Sequence, residues 1–141
     1  MTSPQLYLLD TDITGYIVRG RSPSARMMLR QTLEDARVGI SVVTEAEILF
    51  GLELRPEASR LRASVERLLQ AIEILDWNAR AAAAYARIRA QLKLAGKPLA
   101  EMDLLIAAHA VALDAVLVSH DKAFQLLTHS LRVIDSATDL E

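Results

Sequence analysis

The sequence contains no cysteine, which excludes disulfides and thiolate metal sites at once. Any metal must therefore be held by carboxylates, histidines or backbone oxygen, and carboxylates favour Mg²⁺ or Mn²⁺. Aromatic residues make up only 4% of the chain, so the core has to be aliphatic. Long hydrophobic runs are missing too. The longest, Leu104 to Leu113, is broken by His109 and is far too short to span a bilayer. The opening Met1–Gln5 has neither the basic stretch nor the apolar run of a signal peptide. These absences lead to the expectation of a soluble, cytoplasmic protein with no membrane partner. A net charge of −2 argues against wholesale nucleic-acid binding.

What is present fits one domain over residues 1–141, because that length supports one sizeable core and not two comfortable ones. The hydrophobic fraction of 52% leaves aliphatic surface to spare for an oligomer interface. Basic residues cluster at Arg19, Arg21, Arg26 and Arg30, at Arg55, Arg60, Arg62 and Arg67, and at Arg80, Arg87, Arg89, Lys93 and Lys97. Each cluster reads first as a solvated helix face. Arg89, Lys93 and Lys97 also share one face at i, i+4 and i+8, where they could contact phosphates.

Short β-branched runs alternate with helical periods. Leu6–Leu9, Val38–Ile40, Ile72–Leu75, Val116–Val118 and Arg132–Ile134 read as five short buried strands. Leu61, Val65, Leu68, Leu69 and Ile72 form one apolar helical stripe. Tyr85, Ile88, Leu92 and Ala95 form another, opened by Asn78 as N-cap and closed by Gly96 with Pro98 beyond. Shorter stripes lie at Ile13, Tyr16 and Ile17 and at Ile48, Leu49 and Leu52. Such alternation predicts a three-layer α/β/α fold around a mainly parallel sheet. In that architecture the site forms beyond the carboxyl ends of the strands.

Four carboxylates fall there. Asp10 closes the first strand, Glu47 lies in the first turn of the helix after the second, Asp103 opens the helix Leu104–Leu113, and Asp121 follows the fourth strand. Each has a structural alternative. Asp10 and Asp121 suit N-caps, Thr44 and Glu47 match a capping box, and Asp103 complements a helix dipole. Four caps need not share one end of one sheet, however, and clustered carboxylates repel strongly enough to demand a cation. Carboxylate-held Mg²⁺ would activate water against a phosphodiester. No protein nucleophile competes with this reading: Ser41 and Ser119 lack an evident base. Of the histidines, His109 lies on an apolar stripe and reads as core, while His120 and His129 read as loop residues. Trp77 reads as a wedge at a strand–helix junction.

The segments Leu8–Asp12, Ile40–Gly51, Ala95–Ala110 and Val116–Phe124 resemble, in order and spacing, the PIN domains of VapC-type toxins. The likeness runs from about Leu6 to Phe124. It implies a PIN-like fold, a Mg²⁺- or Mn²⁺-dependent endoribonuclease acting on structured RNA, a homodimer, and a cognate VapB-like antitoxin that blocks the site, with a larger heteromeric assembly in prospect. By motif position Asp10 and Asp103 are the direct ligands, Glu47 is the third acid and Asp121 the fourth. Asp12 and Ser119 stand where they would touch metal-bound water or substrate. The chain departs from the pattern in three places. Asp12 replaces the usual Asn, Glu45 adds an acid beside Glu47, and the end after Phe124 lacks the basic, aromatic-rich closing pattern.

Two other readings compete. Leu6–Thr14 also resembles the opening motif of haloacid-dehalogenase-type phosphatases, with Asp10 as nucleophile and Asp12 as acid/base, and Val116–Ser119 imitates their strand-borne Ser or Thr. That reading leaves Glu47 and Asp103 without a role and finds no late acidic pair. The third reading is a PIN fold that only binds partners.

Overall fold

A computed structural model describes residues 4–140. The chain begins with β1 (Leu6–Leu9), α1 (Thr11–Arg19), α2 (Pro23–Asp35), β2 (Arg37–Ser41) and α3 (Val42–Glu53). It continues with α4 (Ser59–Ala71), β3 (Glu73–Leu75), α5 (Ala79–Leu94), α6 (Glu101–Ala112) and β4 (Val116–Val118). A 3₁₀ turn over Lys122–Leu127 then leads to β5 (Val133–Ile134). The five strands form one sheet in the order β3-β2-β1-β4-β5, and every pairing is parallel. Parallel neighbours require crossovers, and the helices supply them.

Successive strand residues point to opposite faces, so β1 feeds two cores. Leu6 and Leu8 pack with Ile88 and Leu92 of α5, Leu104 and Ile106 of α6, and Phe124 of the 3₁₀ turn. Leu9 turns the other way, with Ile13 and Ile17 of α1, Ala25 of α2 and Val65 and Leu68 of α4. The result is the three-layer α/β/α arrangement that the alternation predicts, of the kind in which both sheet faces are covered. Asn78 caps α5, accepting from the Ala81 amide, and Gly96 follows that helix in the left-handed conformation (φ +66°). Both match the sequence reading.

At Gly39 of β2 the backbones close up. A Cβ there would stand 2.9 Å from the Glu73 carbonyl oxygen and 2.5 Å from Leu75 Cδ2. Only glycine lets β3 approach this edge of β2.

α2 went unread in the sequence. It buries only Ala25 fully, so its apolar stripe is faint, although Ser22 as N-cap before Pro23 is a start signal. Its anchorage comes from the far end of the chain. Asp139 accepts from the Ser22 hydroxyl at 2.6 Å and the Ser24 amide at 3.0 Å. The closing segment thus fastens α2 through acids and serines, in place of the basic, aromatic pattern it lacks.

Candidate active site

Asp10 leaves β1 at its carboxyl end and serves as N-cap of α1. Its amide donates to the Val118 carbonyl at 3.0 Å, and its Oδ1 accepts from the Ile13 amide at 2.8 Å. The cap reading of Asp10 is therefore correct, and it does not exhaust the residue. The side chain is only 2% exposed, and burial pushes its carboxyl from 3.8 to about 7. Hydrogen bonds from the Ser119 hydroxyl and the Ile13 amide favour the charged form, while the charges of Asp12 and Asp103 oppose it.

Asp103 sits in the first turn of α6, which starts at Glu101, ahead of the expected boundary. Burial first, then the charges of Asp121, Asp12 and Glu47, raise its carboxyl from 3.8 to about 6. Five acids drawn from α1, α3, α6 and the two strand ends thus sense one another. Asp121 caps the 3₁₀ turn through Ala123 at 2.9 Å, and its own amide donates to Ser119 Oγ at 3.0 Å. Ser119 consequently touches both strand-end acids, donating to one and accepting from the other.

Glu47 corrects the capping-box expectation. α3 starts at Val42 with Ser41 as its cap, so Glu47 lies in the second turn and Thr44 is not a cap. Thr44 is fully buried, 3.2 Å from the Thr11 hydroxyl, and Thr11 donates to Glu47 Oε1 at 2.8 Å. Sequence reasoning missed Thr11, although its place between Asp10 and Asp12 marked it. Beside Thr11, Asp12 and Glu47 lies a hollow of about 230 Å³, reached also by Tyr16, Arg19 and Arg21.

Among the described residues no three His, Cys, Asp or Glu side chains meet closely enough to enclose an ion outright. The acids are joined through their charges. Such an all-oxygen set suits a hard divalent cation that keeps part of its own water, as Mg²⁺ ordinarily does with one or two carboxylates. Burial is the main cause of the upward shifts at Asp10 and Asp103, and the neighbouring carboxylate charges add to it; a bound cation would favour the ionised form of both.

The other sequence candidates fall outside this cluster. Arg89, Lys93 and Lys97 line a separate groove, which Arg80 and Arg87 do not reach. They do not share one helix face as the spacing predicts, because α5 ends at Leu94 and Lys97 follows the left-handed Gly96. His109 is core, as expected: it is 1% exposed, with Nδ1 2.8 Å from Ser41 Oγ. Ser41 thus does have a histidine partner, contrary to the sequence reading, but both are buried. Burial lowers its pKa. Nε2 finds no well-formed hydrogen bond, although the Asp76 backbone lies near enough to favour the protonated ring. His120 pairs with Asp135 at 2.8 Å. Trp77 does wedge its junction, donating Nε1–H to the Leu105 carbonyl at 3.0 Å.

Residues 7–129 match the PIN domain family, and the chain belongs to it. Its relatives within that family include VapC proteins. Ribonuclease VapC1 of Haemophilus influenzae (strain R2866) is 32% identical over 124 residues, 87% of this chain and 92% of that protein. The tRNA(fMet)-specific endonuclease VapC of Shigella flexneri is 31% identical over 115 residues, 82% of this chain and 86% of its own. Among solved structures, VapBC2 from Rickettsia felis bound to a DNA fragment from their promoter aligns with a TM-score of 0.87 at 26% identity. That alignment covers 93% of this chain and 98% of the other. The family assignment removes the basis for the phosphatase reading, which rested on Leu6–Thr14 and on Ser119 at the end of the fourth strand.

Proposed function

We propose that the chain is a Mg²⁺- or Mn²⁺-dependent endoribonuclease, the toxin half of a VapBC-type pair. Its substrate would be structured RNA, its setting the cytoplasm, and its working form a homodimer that a VapB-like antitoxin inhibits and draws into a larger assembly. One observation carries the chemistry: Asp10 and Asp103, far apart in sequence, are both partly withdrawn from water and lie close enough for charges to be felt, that of Asp103 by Asp10 and those of Asp121, Asp12 and Glu47 by Asp103. The names of the VapC relatives support the substrate class. No helix among the described residues is long and apolar enough to cross a membrane.

Asp10 and Asp103 would hold the ion directly, with Glu47 and Asp121 completing the acidic pocket. When bound, the ion lowers the pKa of its water and offsets charge on the phosphoryl oxygens. The protein supplies orientation. Thr11 fixes Glu47, and Ser119 holds Asp10 and Asp121 at a set spacing. Asp12, exposed at the rim, would contact water bound to the ion.

The test is expression in bacteria with and without the neighbouring small open reading frame, followed by mapping of cleaved RNA ends. Growth arrest with discrete new ends, abolished by Asp10→Asn, is expected. A variant that cuts RNA at the parent rate would overturn the site. Titration of the purified chain with Mn²⁺ separates the enzyme from an inert binding module, which would show no metal-dependent stabilisation.

A further inference from the structure

α5 and the loop after it carry a groove outside the acid cluster. Arg89, Lys93 and Lys97 line it together with Leu92, Leu99 and Leu104, around an open volume of about 410 Å³. None of the acids lines it, but Leu104, one of its walls, directly follows Asp103 in α6. Its leucines form an apolar floor: Leu92 and Leu104 are buried and Leu99 is half-buried. Arg89 and Lys93 lie about 6 Å apart along the axis of α5, and Lys97 follows in the loop after Gly96. None of them pairs with an acid; the ion pairs among the described residues are Arg37–Glu73 and His120–Asp135. Apolar floor and unpaired cations together fit a chain of anions that carries flat apolar groups.

Arg89 is already positioned. It donates Nη1–H to Tyr85 Oη at 2.8 Å, and its guanidinium carbon lies 5.7 Å from the Tyr85 ring centre. Tyr85 meets Trp77 edge-on at 6.2 Å between ring centres, and Trp77 is bonded to the Leu105 carbonyl of α6. The guanidinium is thereby tied to the helix that presents Asp103. A long side chain ordered in advance loses less freedom when it binds.

We infer that this groove holds the RNA strand flanking the scissile bond, with its phosphates on Arg89, Lys93 and Lys97 and a base against the leucine floor. The inference rests on the ribonuclease reading and adds to it a strand path and the residues that define it. An acidic peptide shares the charge, but RNA is favoured because its bases suit the leucine floor and because Leu104 of the groove is the residue after Asp103.

The test is fluorescence anisotropy with a labelled single-stranded oligoribonucleotide in EDTA across a salt series. All chains carry Asp10→Asn, so that the strand stays intact. Adding Lys93→Ala and Lys97→Ala should weaken binding and lower the slope of log affinity against log salt by about 1.4, at about 0.7 per lost contact. Tyr85→Phe keeps every charge while freeing Arg89. It should weaken binding about threefold with the slope unchanged. Lysine variants that retain the parent's circular dichroism, affinity and slope would overturn the groove. So would lysine variants that bind RNA normally but no longer co-purify with an acidic partner protein. A parent chain that cuts no RNA in Mn²⁺ would instead overturn the ribonuclease reading.

Discussion

Thr11 donates its hydroxyl hydrogen to Glu47 Oε1 across 2.8 Å, joining the first residue of α1 to the second turn of α3. The bond orients an acid that would otherwise swing freely on a half-exposed helix face. Thr11→Val keeps the shape and removes the donor. Loss of a partner that orients a ligand ordinarily lowers metal affinity or activity by about 10- to 100-fold. Calorimetric Mn²⁺ titration and RNA cleavage rates should show a fall in that range, with thermal stability little changed. Unaltered affinity and rate would mean that Glu47 plays no part.

The pH dependence of the metal-free chain follows from Asp10. Its folded pKa, about 7, lies above the ordinary 3.8. The folded state therefore holds the proton more tightly than the unfolded state does. Its contribution is fully present below the ordinary value and is lost as pH rises through about 7. Asp103, raised to about 6, acts in the same direction. In EDTA the melting temperature should fall between about pH 5 and pH 8. Mn²⁺ should restore it at the upper end, and Asp10→Asn should flatten the profile.

Gly39→Ala tests the packing of β3 on β2. The added methyl meets the Glu73 carbonyl oxygen at 2.9 Å, a backbone atom that cannot simply rotate away. Overpacking of this kind ordinarily costs about 1–3 kcal/mol. Chemical denaturation should give a loss in that range, and a variant as stable as the parent would show that the edge yields.

The strands were legible because short β-branched runs have few other uses in a chain so poor in aromatics. The acids at Asp10 and Asp121 were legible because strand ends define where a parallel sheet gathers its loops. Glu47 was placed in the correct helix but assigned the wrong partner. The spacing from Thr44 imitates a capping box, while Ser41 actually caps α3 and Thr11 reaches over from another element. Local spacing carries no record of a bond between residues 36 positions apart. α2 escaped for the same reason, since its fastening comes from Asp139 and not from its own stripe.

That fastening makes a prediction of its own. The Ser22 hydroxyl first, then the Ser24 amide, hold the Asp139 carboxyl down at about 2. A depressed pKa stabilises above the ordinary 3.8 and fades as pH falls through about 2. Asp139→Asn should therefore speed amide exchange in the first turn of α2 at neutral pH. The difference should vanish in strong acid. Equal exchange at neutral pH would mean that the tail is not what secures the helix.

β1 sits at the middle of the sheet, with β2 on one side and β4 on the other. β2 follows it closely in sequence, whereas β4 comes only at Val116–Val118. During synthesis the ribosome therefore releases Asp10 and Glu47 long before the residues that complete their surroundings. A growing chain carries half of an acid pocket and one open flank on its central strand. The charge cluster can close only when translation is nearly finished.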